Sequence, residues 1–257
     1  MQEHRYAIKV FYDGKNFHGS QIQPKLRTVE GEFQKALKKF CNFENFQRAS
    51  RTDAKVSAFG NVFALTTNFK LEPRIINAHL PCDIRAIAVK EVSKDFNPRF
   101  AKERIYKYFL FDDGYDLKKI KEAAKIIKGK HSFHNFTALQ EGCKIKKVNY
   151  VEVEKEGDII ILTFSAESFL WEMVRRLVTA LKMIGKHELT IEEFFEFFDI
   201  NVRKKIKASP PEFLILWDVK YDFEFEYEDY SLRKFIEELK KEYAMLKMKE
   251  KILKAIL

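Results

Sequence analysis

The order of segments in the first hundred residues constrains this chain more than any other feature. Residues 5–12 (Arg-Tyr-Ala-Ile-Lys-Val-Phe-Tyr) read as a strand, and Asp13-Gly14 is a turn pair that ends it. Thr28 is a helix N-cap residue type, and Val29, Phe33, Leu37 and Phe40 recur at helical spacing, which predicts a helix over 29–41. Residues 44–50 and 60–69 read as two strands. Pro73 suits the first turn of a short helix reaching about Leu80, and the apolar run at 84–92 reads as a fourth strand. Few folds accommodate strand, helix, strand, strand, helix, strand. The ferredoxin-like one, in which two helices cover one face of an antiparallel sheet, is the natural solution.

The second half follows a similar outline without repeating the sequence. Strands are expected at 103–111, 145–155, 158–165 and 213–221, with helices at 116–128, 169–185 and 190–198. A long charged helix is expected over 229–256. The fold class predicted is α+β. Two ferredoxin- or RRM-like halves, residues 1–100 and 101–257, carry mainly antiparallel sheets and pack around a central cleft. No linker rich in Pro, Gly or Ser separates them, so they should form one body.

Charge narrows the partners. Forty-seven Lys and Arg against 38 Asp and Glu leave a net charge of +9, which favours a polyanion and nucleic acid first. Cys41, Cys82 and Cys143 are scattered and odd in number, the pattern of reduced thiols and not of a disulfide framework. No window has the length and apolarity of a membrane span, and no signal-peptide run opens the sequence, so a cytoplasmic location is expected.

Chemistry concentrates in Arg48-Ala49-Ser50-Arg51-Thr52-Asp53-Ala54-Lys55-Val56-Ser57-Ala58, between two predicted strands. Asp53 lies between Arg51 and Lys55, and nearby positive charge favours a carboxylate. Taken alone, Asp53 reads sooner as a turn residue bonding its own backbone.

Arg51-Thr52-Asp53-Ala54, with Val56, Ser57-Ala58 and Gly60-Asn61-Val62, resembles the signature of the TruA-type tRNA pseudouridine synthases. Other blocks follow in the family's order. They are Tyr12-Asp13-Gly14 with Phe17, Gly19 and Gln21; Thr28-Val29-Glu30-Gly31; and Leu80-Pro81 with Asp83-Ile84. Phe96-Asn97-Pro98-Arg99-Phe100 leading to Arg104-Ile105-Tyr106-Lys107-Tyr108, and then Phe169 through Arg175, complete the set. The resemblance spans roughly residues 5–220. It departs from the bacterial pattern at Lys55 and Ser57, which stand for Gly and His, and at Ser20, which stands for Trp. If position 55 needs a positive φ, lysine is strained there.

The resemblance implies conversion of uridine to pseudouridine at positions 38 to 40 of the tRNA anticodon stem-loop, by a homodimer. It implies that Asp53 is the nucleophile, since the reaction must break the C1′–N1 bond and rejoin the uracil through C5. No redox step enters, so neither cofactor nor metal is expected. Arg175, from the family's Met-Val-Arg block, is the implied cation beside Asp53; at the edge of the helix's apolar face it is otherwise a snorkelling surface arginine. Arg176 follows Glu172 by four residues and can pair with it. Strand alternation aims Arg104, Tyr106 and Tyr108 to one side. By resemblance Tyr106 contacts the target base, although by itself it reads as a core aromatic. A stem uridine must be flipped out to react, and Arg51 is placed to assist. Gln21, Lys55, Arg99 and Arg104 are candidate RNA contacts.

Two features read as structure. His131 and His134 have the spacing of a metal pair, but no further ligand completes a zinc set, and Phe133 and Phe136 suggest packing. The seam Leu232, Ile236, Leu239, Tyr243 and Leu246 predicts that the last helix packs on its own subunit or on a partner. The rival functions are a non-catalytic RNA-binding protein with two RRM-like halves, which would need aromatic platforms, a synthase for other tRNA positions, and a glycoside hydrolase, which would need a paired acid.

Overall fold

The computed structural model describes residues 2–256. Its N-terminal strands are β1 (His4–Tyr12), β2 (Glu44–Arg48), β3 (Ser57–Thr67) and β4 (Ile84–Val92), with helices α1 (Val29–Leu37) and α2 (Pro73–Asn77) between them. The remainder holds β5 (Glu103–Phe111), α3 (Leu117–Ile127), β6 (Gly129–Ser132), β7 (Ile145–Glu156) and β8 (Ile159–Ala166). α4 (Met173–Gly185), α5 (Ile191–Glu196), β9 (Leu214–Lys220) and α6 (Asp229–Ile256) follow. The segment types match the expected ones throughout. The short polar strand β6 is additional, and no apolar alternation announces it.

The nine strands form one sheet, ordered β4-β1-β3-β9-β5-β8-β7-β6, with β2 also paired to β3. All pairings are antiparallel except β3 with β9. The expectation of separate sheets for the two halves is therefore corrected: they merge edge to edge. The long strand β3 makes this possible because β2 and β9 share its outer edge. β2 pairs with its C-terminal part, Phe63 to Thr66, and β9 with only its first two residues, Ser57↔Ile215 and Ala58↔Leu216. The loop from β2 back to β3 therefore turns at the seam between halves.

Helices are set by caps and apolar faces. Thr28 caps α1 through its side chain, accepting from Gly31 N–H, and Thr190 with Glu193 forms a capping box on α5. Phe33 of α1 meets Phe63 of β3 at 5.0 Å, edge to face, which joins helix to sheet. α4 buries Met173, Val174, Leu177, Val178, Leu181 and Ile184. It begins four residues later than the sequence suggested, because Glu172 adopts a left-handed conformation (φ 62°) that interrupts the helix.

The terminal helix departs from expectation. Phe235, not the predicted seam, anchors α6, packing on Phe11 at 4.6 Å and Phe59 at 6.4 Å. Arg85 pairs with Glu238 beside it. Ile236, Leu239, Tyr243 and Leu246 are exposed. Among the described residues, no helix is long and apolar enough to cross a membrane.

Candidate active site

The loop carrying Asp53 is fixed from below by buried hydroxyls. The Tyr12 hydroxyl lies 2.8 Å from Thr52 Oγ1 and accepts from Asn61 Nδ2 at 3.1 Å; Asn61 also donates to the Ser50 carbonyl. Ser20, fully buried, accepts from Thr52 N–H through Oγ at 2.8 Å, while its own N–H donates to the Thr52 carbonyl. Gly19, at φ +94°, makes this approach possible: an added Cβ would stand 3.1 Å from the Thr52 carbonyl oxygen. Ser20, a departure from the family pattern, is thus an anchor of the loop. Ser57 accepts from Gly14 N–H at 2.9 Å and secures the opposite end. Lys55 is left-handed (φ 66°), so the condition under which lysine is strained at this position is met. Its ammonium pairs with Glu212 at 2.9 Å, and that bond holds the Glu212 carboxyl below its ordinary range.

Asp53, at the top of this loop, is met by the other half of the molecule. Arg175 donates to Asp53 Oδ2 from Nη2 at 2.8 Å and from Nε at 3.1 Å. Its Nη1 donates to the Ser209 carbonyl at 3.1 Å, and Nη2 also reaches Glu172 Oε1 at 2.8 Å. Arg175 is buried, so the surface reading does not hold. Arg176 pairs with Glu172 at 2.6 Å, as their spacing suggested, and this leaves Glu172 bridging two arginines. Trp171 donates its indole N–H to Asp53 Oδ1 at 3.0 Å. Both carboxylate oxygens thus have donors, from α4 and from the turn that precedes it.

Tyr106 is buried on β5, with its ring edge-on to Phe169 at 5.3 Å. Burial pushes its hydroxyl far above the usual phenol range, and the charges of Tyr12 and Asp53 add to that. The phenol stays protonated and can donate. The Tyr12 hydroxyl is pushed up to about 12, also by burial. Arg104 is buried beneath the site instead of facing solvent. It donates to Ser50 Oγ at 2.9 Å, to the carbonyls of Ala49 and Arg99 at 2.8 and 2.9 Å, and to the Glu167 carbonyl. These bonds clamp the start of the Asp53 loop to β5 and leave the guanidinium turned away from any phosphate. Arg51 and Arg99 are exposed, and Gln21 is half-buried.

Away from this site, His131 Nε2 lies 3.0 Å from the Lys128 carbonyl and His134 Nε2 2.8 Å from that of Val202. Phe133 and Phe136 are fully buried. Among the described residues no three His, Cys, Asp or Glu side chains cluster as metal ligands would. Sequence reasoning missed Trp171, Ser20, Ser209 and Glu212 as parts of the site. Each contacts it across more than thirty residues of chain, and no local pattern signals such a contact.

A carboxylate held by a buried arginine beside a buried tyrosine, at the seam of an α+β sheet, defines a site for nucleophilic or charge-stabilising chemistry. Comparison with known proteins supplies the reaction. Residues 123–222 match the tRNA pseudouridine synthase family model. Over 251 residues the chain is 45% identical to tRNA pseudouridine synthase A of Thermococcus sibiricus, covering 92% of this chain and 94% of that one. It is 42% identical over 246 residues to the protein of the same name from Pyrococcus abyssi, covering 93% of each. For Archaeoglobus fulgidus the identity is 41% over 236 residues, covering 89% and 88%. The chain belongs to the tRNA pseudouridine synthase A family, and it is an isomerase that converts uridine to pseudouridine.

Proposed function

We propose that this isomerase acts on uridines 38 to 40 of the tRNA anticodon stem-loop, with the Asp53 carboxylate as nucleophile. The observation that carries the reading is the Asp53–Arg175 pair, in which two guanidinium N–H groups meet one oxygen of a carboxylate that keeps some access to solvent. In the reaction the C1′–N1 bond breaks, the uracil turns, a C1′–C5 bond forms, and the C5 proton is lost while N1 gains one. Nothing is oxidised or reduced. The step asks for a nucleophile at C1′ or C6, and an ionised carboxylate is one. Arg175 stabilises the charge that Asp53 must carry. Tyr106, protonated and close beneath, stacks on or donates to the base.

A stem uridine reaches Asp53 only after extrusion from the duplex. Arg51, exposed and two residues before the nucleophile, is assigned to the gap the base leaves. Gln21, Lys55 and Arg99 are assigned to the RNA, and Arg104 to holding the loop. The recurrence of strand order supports two ferredoxin-like halves: β4-β1-β3-β2 in one, β9-β5-β8-β7 in the other. A cytoplasmic homodimer, as the family resemblance implies, binding tRNA through basic residues should lose affinity steeply as salt rises.

The test is Asp53→Asn, which keeps the side chain's size and removes its charge. Incubated with tRNA, it should still bind and form no pseudouridine. Turnover near the wild-type rate would refute the role. Mapping the modified positions in tRNA from a deletion strain decides the target nucleotides.

A further inference from the structure

We infer that Trp171 is a positioning residue that selects Asp53 Oδ1 as the attacking oxygen. The inference rests on the reading of Asp53 as nucleophile. The two oxygens of Asp53 are not equivalent. Oδ2 accepts two hydrogen bonds from one guanidinium, at 2.8 and 3.1 Å, while Oδ1 accepts one from a neutral indole at 3.0 Å. A carboxylate oxygen has about two lone-pair sites, so Oδ2 is filled and Oδ1 keeps one free. Charge-assisted donors also draw more electron density than neutral ones. Oδ1 is therefore both the freer and the more electron-rich oxygen. The indole N–H, occupying its other site, fixes the direction in which the free lone pair points.

The backbone around Trp171 is built to aim that ring. Its carbonyl accepts from Thr137 Oγ1 at 3.0 Å and from Ala138 N–H at 3.2 Å. The next residue, Glu172, is left-handed at φ 62°, a conformation unfavourable for a side-chain-bearing residue. Its carboxylate is held by Arg175 and Arg176, which fixes the turn in place. Had α4 begun earlier, Trp171 would lie on the helix. The turn instead projects it across the seam to the other half's loop. Trp171 is 55% exposed, so it contributes little to the core, and among the described residues its indole N–H bonds to Asp53.

Trp171→Phe keeps a flat ring and removes the N–H. Losing one hydrogen bond to a charged group should slow the single-turnover rate about tenfold. tRNA affinity should stay within twofold of wild type. A wild-type rate would overturn the inference. So would a normal rate with weakened tRNA binding, which would make the ring a stacking platform only. A second measurement is independent of turnover. The chain has two tryptophans, and the indole N–H resonance that disappears in Trp171→Phe should move in Asp53→Ala. An unmoved resonance would mean that no such bond forms in solution. Asp53→Asn separates the two readings: if that variant turns over normally, the nucleophile assignment fails whatever Trp171 does, whereas an inactive Asp53→Asn with a fully active Trp171→Phe sinks this inference alone.

Discussion

Arg175→Ala is the perturbation whose magnitude the geometry constrains best. The side chain is 10% exposed and that of Asp53 is 26% exposed. Truncating one partner of a buried pair typically costs about 3–5 kcal/mol, because the other charge is left without a counterion. Two features reduce that here. Glu172 keeps Arg176 at 2.6 Å, so only one carboxylate is orphaned. Asp53 also has Trp171 and a path to water. A stability loss of about 2–3 kcal/mol follows once these offsets are taken from the buried-pair figure. If the same interaction holds the nucleophile through the transition state, the chemical step slows about 30- to 150-fold. Urea denaturation reads the first quantity. Single turnover with excess enzyme, on one tRNA with a paired target uridine and one with an unpaired target, reads the second. Both substrates should lose equally, since the pair acts after the base has arrived. A rate within threefold of wild type, or a loss confined to the paired uridine, would refute the assignment.

The exposed arginine should behave oppositely: Arg51→Ala should slow reaction at the paired uridine and spare the unpaired one, because unstacking and unpairing cost a few kcal/mol, least for a loose base; equal losses would remove Arg51 from flipping. Ser20→Ala leaves the buried Thr52 N–H without its acceptor and should cost about 1–3 kcal/mol in urea unfolding. An unchanged midpoint would show that the loop is held otherwise. Lys55→Gly relieves a left-handed residue (φ 66°) but adds unfolded-state freedom and loses an exposed ion pair, so stability should stay within about 0.5 kcal/mol. Lys55→Val, β-branched, should instead lose about 1–2 kcal/mol. Burial pushes the Tyr12 and Tyr108 hydroxyls up to about 12, so the folded state holds these protons more tightly than the unfolded chain does. Stability should therefore be intact below pH 10 and fall as pH rises from 10 toward 12, less steeply in Tyr108→Phe. A pH-independent unfolding midpoint across that range would contradict the burial of these groups.

What could be read from the sequence follows interaction range. The alternation in residues 5–12 and the apolar spacing of 29–41 are local, and β1 and the start of α1 came out where they pointed, although α1 stops at Leu37. β6 was illegible because Gly-Lys-His-Ser has no apolar alternation; it exists by pairing with Ile145 through Val148 of β7. The late start of α4 was hidden because nothing in Phe-Leu-Trp-Glu announces a left-handed glutamate; it is held by Arg175 and Arg176 on its carboxylate and by Thr137 and Ala138 on the preceding carbonyl. Alternation aimed Arg104 and Tyr106 to one side of β5, yet it could not say whether water or protein waits there. The resemblance brought Asp53 and Arg175 together as names; their 122-residue separation gave no physical means of pairing them. The same limit hid Ser20 and Trp171, whose partners lie on distant loops.

The placement of the site at the seam has a physical rationale. Asp53 belongs to the loop before β3; Arg175, Trp171 and Ser209 belong to the rest, and among the described residues the ladder of β3 with β9 is two parallel residue pairs, supplemented by a single bridge, Ala88↔Tyr227, at the far edge. Such a short ladder is a weak hinge by itself. The Asp53 loop lies directly across it, and contacts from both sides reinforce it: Arg175 and Trp171 onto Asp53, Lys55 onto Glu212, Arg104 onto Ala49 and Ser50. The bonds that orient the carboxylate therefore also fix the angle between the halves. Separating the two sides would therefore require breaking the contacts that hold Asp53.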